Sequence, residues 1–105
     1  MITFTVKYTY KKDSYFDMDY YCNTHIAIAK KYFKDTCKGY SIVKGRNELN
    51  SGKEPQFACL SHLFFNSIEE FNSVMKDAEK ELIEDVKNFT NIQPEVEFYE
   101  VSMRE

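Results

Sequence analysis

The sequence predicts an α+β fold in the order β-α-β-β-α-β, a four-stranded antiparallel sheet with two helices on one face. Three observations carry this. Residues 2–10 alternate with period two. Residues 18–34 and 68–87 repeat apolar positions at three and four, and residues 57–65 are apolar on both faces. The 105 residues suit one small domain, expected over 1–105. A chain of this size buries only a modest core, so a second copy often supplies the rest.

The first strand, Ile2 to Tyr10, puts Ile2, Phe4, Val6, Tyr8 and Tyr10 on one face and Thr3, Thr5, Lys7 and Thr9 on the other. Such alternation of β-branched and aromatic residues marks a half-buried strand. It also reads as a strand rather than a secretory leader, which would show a charged start and a continuous apolar run. A polar loop then leads to Asp17, a good N-cap, with Phe16 placed to staple against Tyr21. The first helix should run to about Lys34, its apolar stripe being Met18, Tyr21, His25, Ile28 and Tyr32. Gly39 breaks the pattern, and Tyr40 to Gly45 reads as a short second strand.

Arg46 to Gln56 lacks periodicity and carries Gly52 and Pro55, as expected of a flexible hairpin loop. Phe57 to Phe65 follows as a central strand covered on both sides. "SIEE" at Ser67 to Glu70 is a capping box. It opens a second helix, expected from Ile68 to about Lys87, with Ile68, Phe71, Met75, Ala78, Leu82, Val86 and Phe89 inward. Pro94 opens the last strand, Glu95 to Met103, where its missing amide does no harm.

This order is the ferredoxin-like, split βαβ arrangement. Right-handed crossovers place both helices on one sheet face. The other face is left bare. If odd positions of the third strand face the helices, the bare face carries Thr3, Thr5 and Lys7 with Ala58, Leu60, His62 and Phe64. A semi-apolar bare sheet predicts self-association.

Composition narrows the partners. Net charge is −3, and the only basic cluster, Lys30, Lys31, Lys34 and Lys38, reads as the solvated end of a helix. Nucleic acid, which needs clustered cations, is not expected. No apolar run approaches the roughly 20 residues that span a membrane. Cys22, Cys37 and Cys59 lack metal-type spacing, and free, mostly buried thiols suit a reducing cytoplasm. Eight Tyr and nine Phe suit cores, interfaces and flat ligands alike.

"FDMDYYCNTH" (Phe16 to His25), "HLFFNSIEEF" (His62 to Phe71) and "DVKNFTNIQP" (Asp85 to Pro94) together resemble the EthD family. The family takes its name from a protein linked to bacterial ethyl tert-butyl ether degradation. The resemblance runs in order over nearly the whole chain. It implies a dimeric α/β barrel, a homodimer whose two sheets close with helices outside and a pocket between each sheet and its helices. Related dimeric barrels include cofactor-free monooxygenases, isomerases, and cyclases or dehydratases. His25, Asp85, Asn91 and Pro94 match the family pattern. Ala27 stands where the family usually has proline, and "KNFTN" replaces "PNYTN", so Phe89 has lost a tyrosine hydroxyl.

Four residues are candidates for chemistry. His25 lies on the inward helix face, where imidazole can exchange a proton near neutral pH; the alternative is a core histidine satisfied by one hydrogen bond. His62 joins it if it points to the helices, and otherwise lines a dimer interface, because strand side chains alternate. Tyr40 could donate to a carbonyl or enolate, or serve only as packing. Asp85 could orient a histidine, or solvate a helix end. Asn91 suits turn formation as well as ligand contact.

Two histidines on separate elements make no recognised metal set, and three scattered glycines make no phosphate loop. Haem belongs to a different branch of the dimeric barrels. Cys22 as a nucleophile weighs less than inert burial. No cofactor is expected. The expectation is a cytoplasmic homodimer that binds a small apolar or aromatic carbonyl-type molecule. Its chemistry would be acid/base work such as isomerisation or dehydration, with His25 as acid or base, Tyr40 and His62 positioning and Asp85 orienting. A non-catalytic binder or a structural dimer is the alternative.

Overall fold

The computed structural model describes residues 1–46 and 53–105. Six of the residues expected to form the hairpin loop, 47–52, lie outside them. The strands are β1 (Ile2–Thr9), β2 (Gly39–Lys44), β3 (Phe57–Phe65) and β4 (Glu95–Glu100). All neighbours are antiparallel, in the order β2-β3-β1-β4, which is the ferredoxin-like topology. The first helix comprises α1 (Met18–Tyr20), a π-helical turn (Tyr21–His25) and α2 (Ile26–Phe33). The second is α3 (Ile68–Asp85), extended by a 3-10 turn, Val86–Asn88.

Both helix starts follow from their caps. Asp17 accepts from the Tyr20 amide at 3.0 Å, and Ser67 from the Glu70 amide at 3.1 Å. Each satisfies an amide that the first turn leaves without a partner, an effect of about 1 kcal/mol. Phe16 packs on Tyr21 with ring centroids 5.1 Å apart, the expected staple.

Register sets the two sheet faces. Phe4 lies opposite Leu63 on one side and Phe98 on the other, under the helices. Thr5 lies opposite His62 and Glu97, on the far face. Odd positions of β3 therefore face the helices: Cys59, Ser61, Leu63 and Phe65 are all buried.

The inward stripe of the first helix differs from the expected one. Tyr21, His25, Ile26, Ala29 and Phe33 are buried, whereas Ile28 and Tyr32 are only half-buried and Cys22 is exposed. The cause is the π-turn. The Ile26 amide bonds to the Tyr21 carbonyl, five residues back, so one extra residue is accommodated. Discounting that residue, the spacing of the buried set becomes three, four, seven and eleven, an ordinary helical stripe. On α3, Phe71 and Ala78 are buried as expected, while Ile68 is exposed at the solvent edge.

Two clusters make the core. One joins Phe4, Phe33, Leu63, Phe65 and Phe71; the other joins Tyr8, Tyr21, Ile26, Cys59, Phe89 and Ile92. In the second, Tyr8, Phe16, Tyr21 and Phe89 form a four-ring group in which every pair is in contact, at centroid distances of 4.9 to 5.9 Å. Tilted and edge-on aromatic pairs add about 0.5–1.5 kcal/mol each beyond area burial. Much of the aromatic content is thus spent beside the π-turn.

Candidate functional site

His25 ends the π-turn and Asp85 ends α3, and the fold brings them together. His25 Nδ1 lies 2.8 Å from Asp85 Oδ2, with both side chains buried. The carboxylate is held on both oxygens. Tyr20 Oη donates to Oδ1 at 2.7 Å, and Asn88 Nδ2 donates to the same atom at 2.8 Å. Burial pushes the Asp85 carboxyl up, but the donors Tyr20, Asn88 and His25 outweigh it and hold it below the ordinary carboxylate range. A carboxylate in that state only accepts. The His25 proton therefore sits on Nδ1, and Nε2 carries the lone pair.

Burial is the larger influence on His25 and lowers its pKa; the Asp85 bond raises it but does not compensate. The resting imidazole is neutral near pH 7. Its ring is clamped between Tyr21, stacked at 5.2 Å, and Phe89, tilted at 4.6 Å. Phe89 is fully buried and its ring packs against the imidazole.

His25 lines a cavity of about 100 Å³ between sheet and helices. Phe4, Val6, Tyr8 and Leu63 line it from the sheet, Tyr21 and His25 from the first helix, and Leu82 and Val86 from the second. None of its lining residues is Lys, Arg, Asp or Glu. Tyr21 Oη and Ser61 Oγ form a buried hydrogen bond of 2.6 Å. Burial drives both the Tyr8 and Tyr21 phenols far above their ordinary pKa, so they remain protonated. The same force pushes the neighbouring Cys59 thiol up to about 12, which makes it inert.

Of the four candidates, the structure unites His25 and Asp85 and separates the other two from them. His62 points away from the helices: its Nδ1 lies 2.9 Å from Thr5 Oγ1, which in turn lies 3.0 Å from Thr3 Oγ1. It therefore does not reach the cavity, and a positioning role beside His25 is corrected to a place on the far face. Tyr40 faces the helix side from β2 but is not among the cavity residues. Its hydroxyl is buried with no hydrogen-bond partner among the described residues, and burial, with Cys37 beside it, raises its pKa. Asp85 is not a solvated helix end, because the 3-10 turn folds over it.

The domain model for EthD matches residues 13–93, over three quarters of the sequence and inclusive of both members of the pair. The chain belongs to the EthD family. It is similar to the crystal structure of an EthD-like protein from Ralstonia eutropha JMP134, with a TM-score of 0.92 and 30% identity over 99% of this chain and 94% of that one. An ethyl tert-butyl ether degradation (EthD) family protein from Bacillus halodurans C-125 matches with a TM-score of 0.59 and 14% identity, covering 92% and 98%. A dimeric ferredoxin-like protein of unknown function from Thermobifida fusca YX matches with a TM-score of 0.58 and 9% identity, covering 95% and 90%. No curated protein matches.

Within the EthD-matched segment, Tyr20 and Asn88 escaped the sequence reading although they position the pair. Asn88 had a visible signal: it stands three residues after Asp85, a spacing that faces two helical side chains together. Tyr20 had none, because one more aromatic in a Tyr-rich helix looks like packing. Asn91 has a fastening duty. Its Oδ1 accepts from the Tyr15 amide at 3.0 Å and its Nδ2 donates to the Asp13 carbonyl, tying down the loop before α1. Among the described residues of this EthD protein no group of His, Cys, Asp and Glu is arranged to hold a metal ion, and no helix is long and apolar enough to cross a membrane.

Proposed function

We propose that this EthD protein binds a small apolar or aromatic carbonyl-type molecule in the cavity before His25 and performs cofactor-free acid/base chemistry on it. The observation that carries the reading is the 2.8 Å bond from His25 Nδ1 to Asp85, made by a histidine that also lines a cavity without Lys, Arg, Asp or Glu; the tautomer it favours leaves the lone pair on Nε2. A carbon acid bound there gives its α-proton to Nε2 and keeps the electron pair as an enolate. Asp85 stabilises the imidazolium that results. Return of the proton to another carbon is an isomerisation. Its delivery to a departing hydroxyl releases water and is a dehydration. A well-placed base contributes on the order of 10²–10⁴-fold to such a step.

The working unit in this reading is a cytoplasmic homodimer, in the manner of a dimeric α/β barrel. Supporting it are the far sheet face, where Val43, Leu60 and Phe64 stand beside Thr5 and His62, and the likeness to a ferredoxin-like protein described as dimeric. Under this arrangement His62 belongs to the contact between copies.

The test is deuterium uptake from solvent at the α-carbon of a panel of neutral aryl ketones. The protein should catalyse the exchange and His25→Gln should abolish it. Saturable binding without exchange for any member would make the protein a non-catalytic binder.

A further inference from the structure

We infer that the ligand has two parts: a compact uncharged head before His25 and an apolar tail that leaves along a trough between β4 and α3. This rests on the reading of the cavity as a ligand site. The cavity of about 100 Å³ is smaller than the roughly 150 Å³ that encloses benzene, so even a single ring is not fully enclosed. Anything larger must protrude. The exit is apolar and continuous: Phe4, Met75, Ile83 and Val96 line both the cavity and a trough of about 490 Å³. Together the two spaces fall within the roughly 300–1,000 Å³ of small-molecule sites, whereas the cavity alone falls well short.

The trough is built for hydrocarbon. Its floor is a ring group, with Phe98 5.6 Å from Phe4 and 5.1 Å from Phe71. Its walls include Ile83 at 62% exposure and Val96 at 55%, large apolar side chains left open along one line. Lys76 and Glu79 stand at its rim with opposite charges, so it favours neither an anionic nor a cationic tail. The head must be neutral for a related reason. The cavity has no cation to partner an acid, and Asp85 behind His25 repels one.

The experiment is calorimetric binding of acetophenone and its 4-ethyl, 4-butyl and 4-hexyl homologues to the whole chain and to the variant Phe98→Thr, at a residue that lines the trough but not the cavity. Phe98 is exposed, so the variant should fold; sedimentation checks its assembly. Wild-type affinity should rise up to about fourfold per methylene for the first few carbons. The variant should bind acetophenone within twofold of wild type but lose most of the gain with chain length. Equal affinity across the series, or a gain unchanged in the variant, overturns the tail site and leaves the head site standing. Failure of acetophenone itself to bind overturns both. A variant that sediments as monomer where wild type is dimer also overturns it, because the trough is then covered by a second copy.

Discussion

His25 and Asp85, sixty residues apart in the chain, are joined by a 2.8 Å hydrogen bond at the meeting point of the π-turn and the end of α3. The bond links the two helices where they cross the same end of the sheet. It gives the imidazole a defined tautomer and gives the buried carboxylate one of its three donors. The fold and the proposed chemistry therefore rest on the same contact.

Removing the carboxylate leaves three donors, Tyr20 Oη, Asn88 Nδ2 and His25 Nδ1, without their acceptor. Asp85→Ala should destabilise the protein by about 2–4 kcal/mol, and Asp85→Asn, which keeps one acceptor oxygen, by about half that. Urea unfolding with an unchanged slope measures both. A loss below about 0.5 kcal/mol for Asp85→Ala would place the residue outside the folded network.

Acid should weaken the fold in two stages. His25 has a lowered pKa in the folded state, so the unfolded chain binds the proton more readily. Stability from the neutral imidazole is complete above the unfolded value of about 6.5 and declines as pH falls from there toward the folded value. Asp85 is also lowered, so its contribution holds above about 3.9 and declines below it, toward its own folded value. Urea midpoints between pH 7.5 and 4.5 should fall for wild type and fall less for His25→Gln. Equal slopes in the two proteins would contradict the buried neutral state of His25.

The π-turn should be dispensable for folding but not for the site. Deleting the exposed Thr24 restores an unbroken helix with Tyr21, Ile26, Ala29 and Phe33 still inward. The variant should unfold at or above the wild-type temperature. Its His25 ring should move relative to Asp85, seen as loss of the deshielded Nδ1 proton signal. A variant that cannot fold would show that the extra residue is demanded by packing.

The far face should govern assembly. Wild type should sediment at the mass of two 12.5 kDa chains. Leu60→Glu, which places a charge among Val43 and Phe64, should shift it to one chain with its helical content intact. A wild-type monomer at micromolar concentration would contradict the dimer.

Much of this architecture was legible in the sequence. The caps at Asp17 and Ser67, the staple from Phe16 and the limits of β3 follow from local chemistry, and local chemistry decides them. Which face of β3 meets the helices stays conditional, because the strand is apolar on both faces and the structure alone puts the odd positions inward. The stripe of the first helix was not legible. A period of 3.6 carries no mark of one inserted residue, and only the joint demands of Tyr21 on Ser61 and His25 on Asp85 reveal it. The pairing of His25 with Asp85 was open to suggestion from the family pattern, but not to proof. Its long sequence separation is closed by topology, and Tyr20, which completes it, resembles any core aromatic. Tyr40 is a candidate by residue type, and His62 is open between the pocket and a dimer interface, a choice that one step of strand alternation decides in favour of the far face.

The central claim is that His25 presents a bare Nε2 to the cavity. Side-chain ¹⁵N spectra test it directly, because the chain has only two histidines and His62, on the far face, serves as the internal reference. At pH 7.5 the account predicts His25 protonated at Nδ1 and unprotonated at Nε2, with the Nε2 signal moving saturably as acetophenone is added and His62 unmoved. A proton on Nε2, or an Nε2 signal indifferent to every neutral aryl ketone, would contradict it.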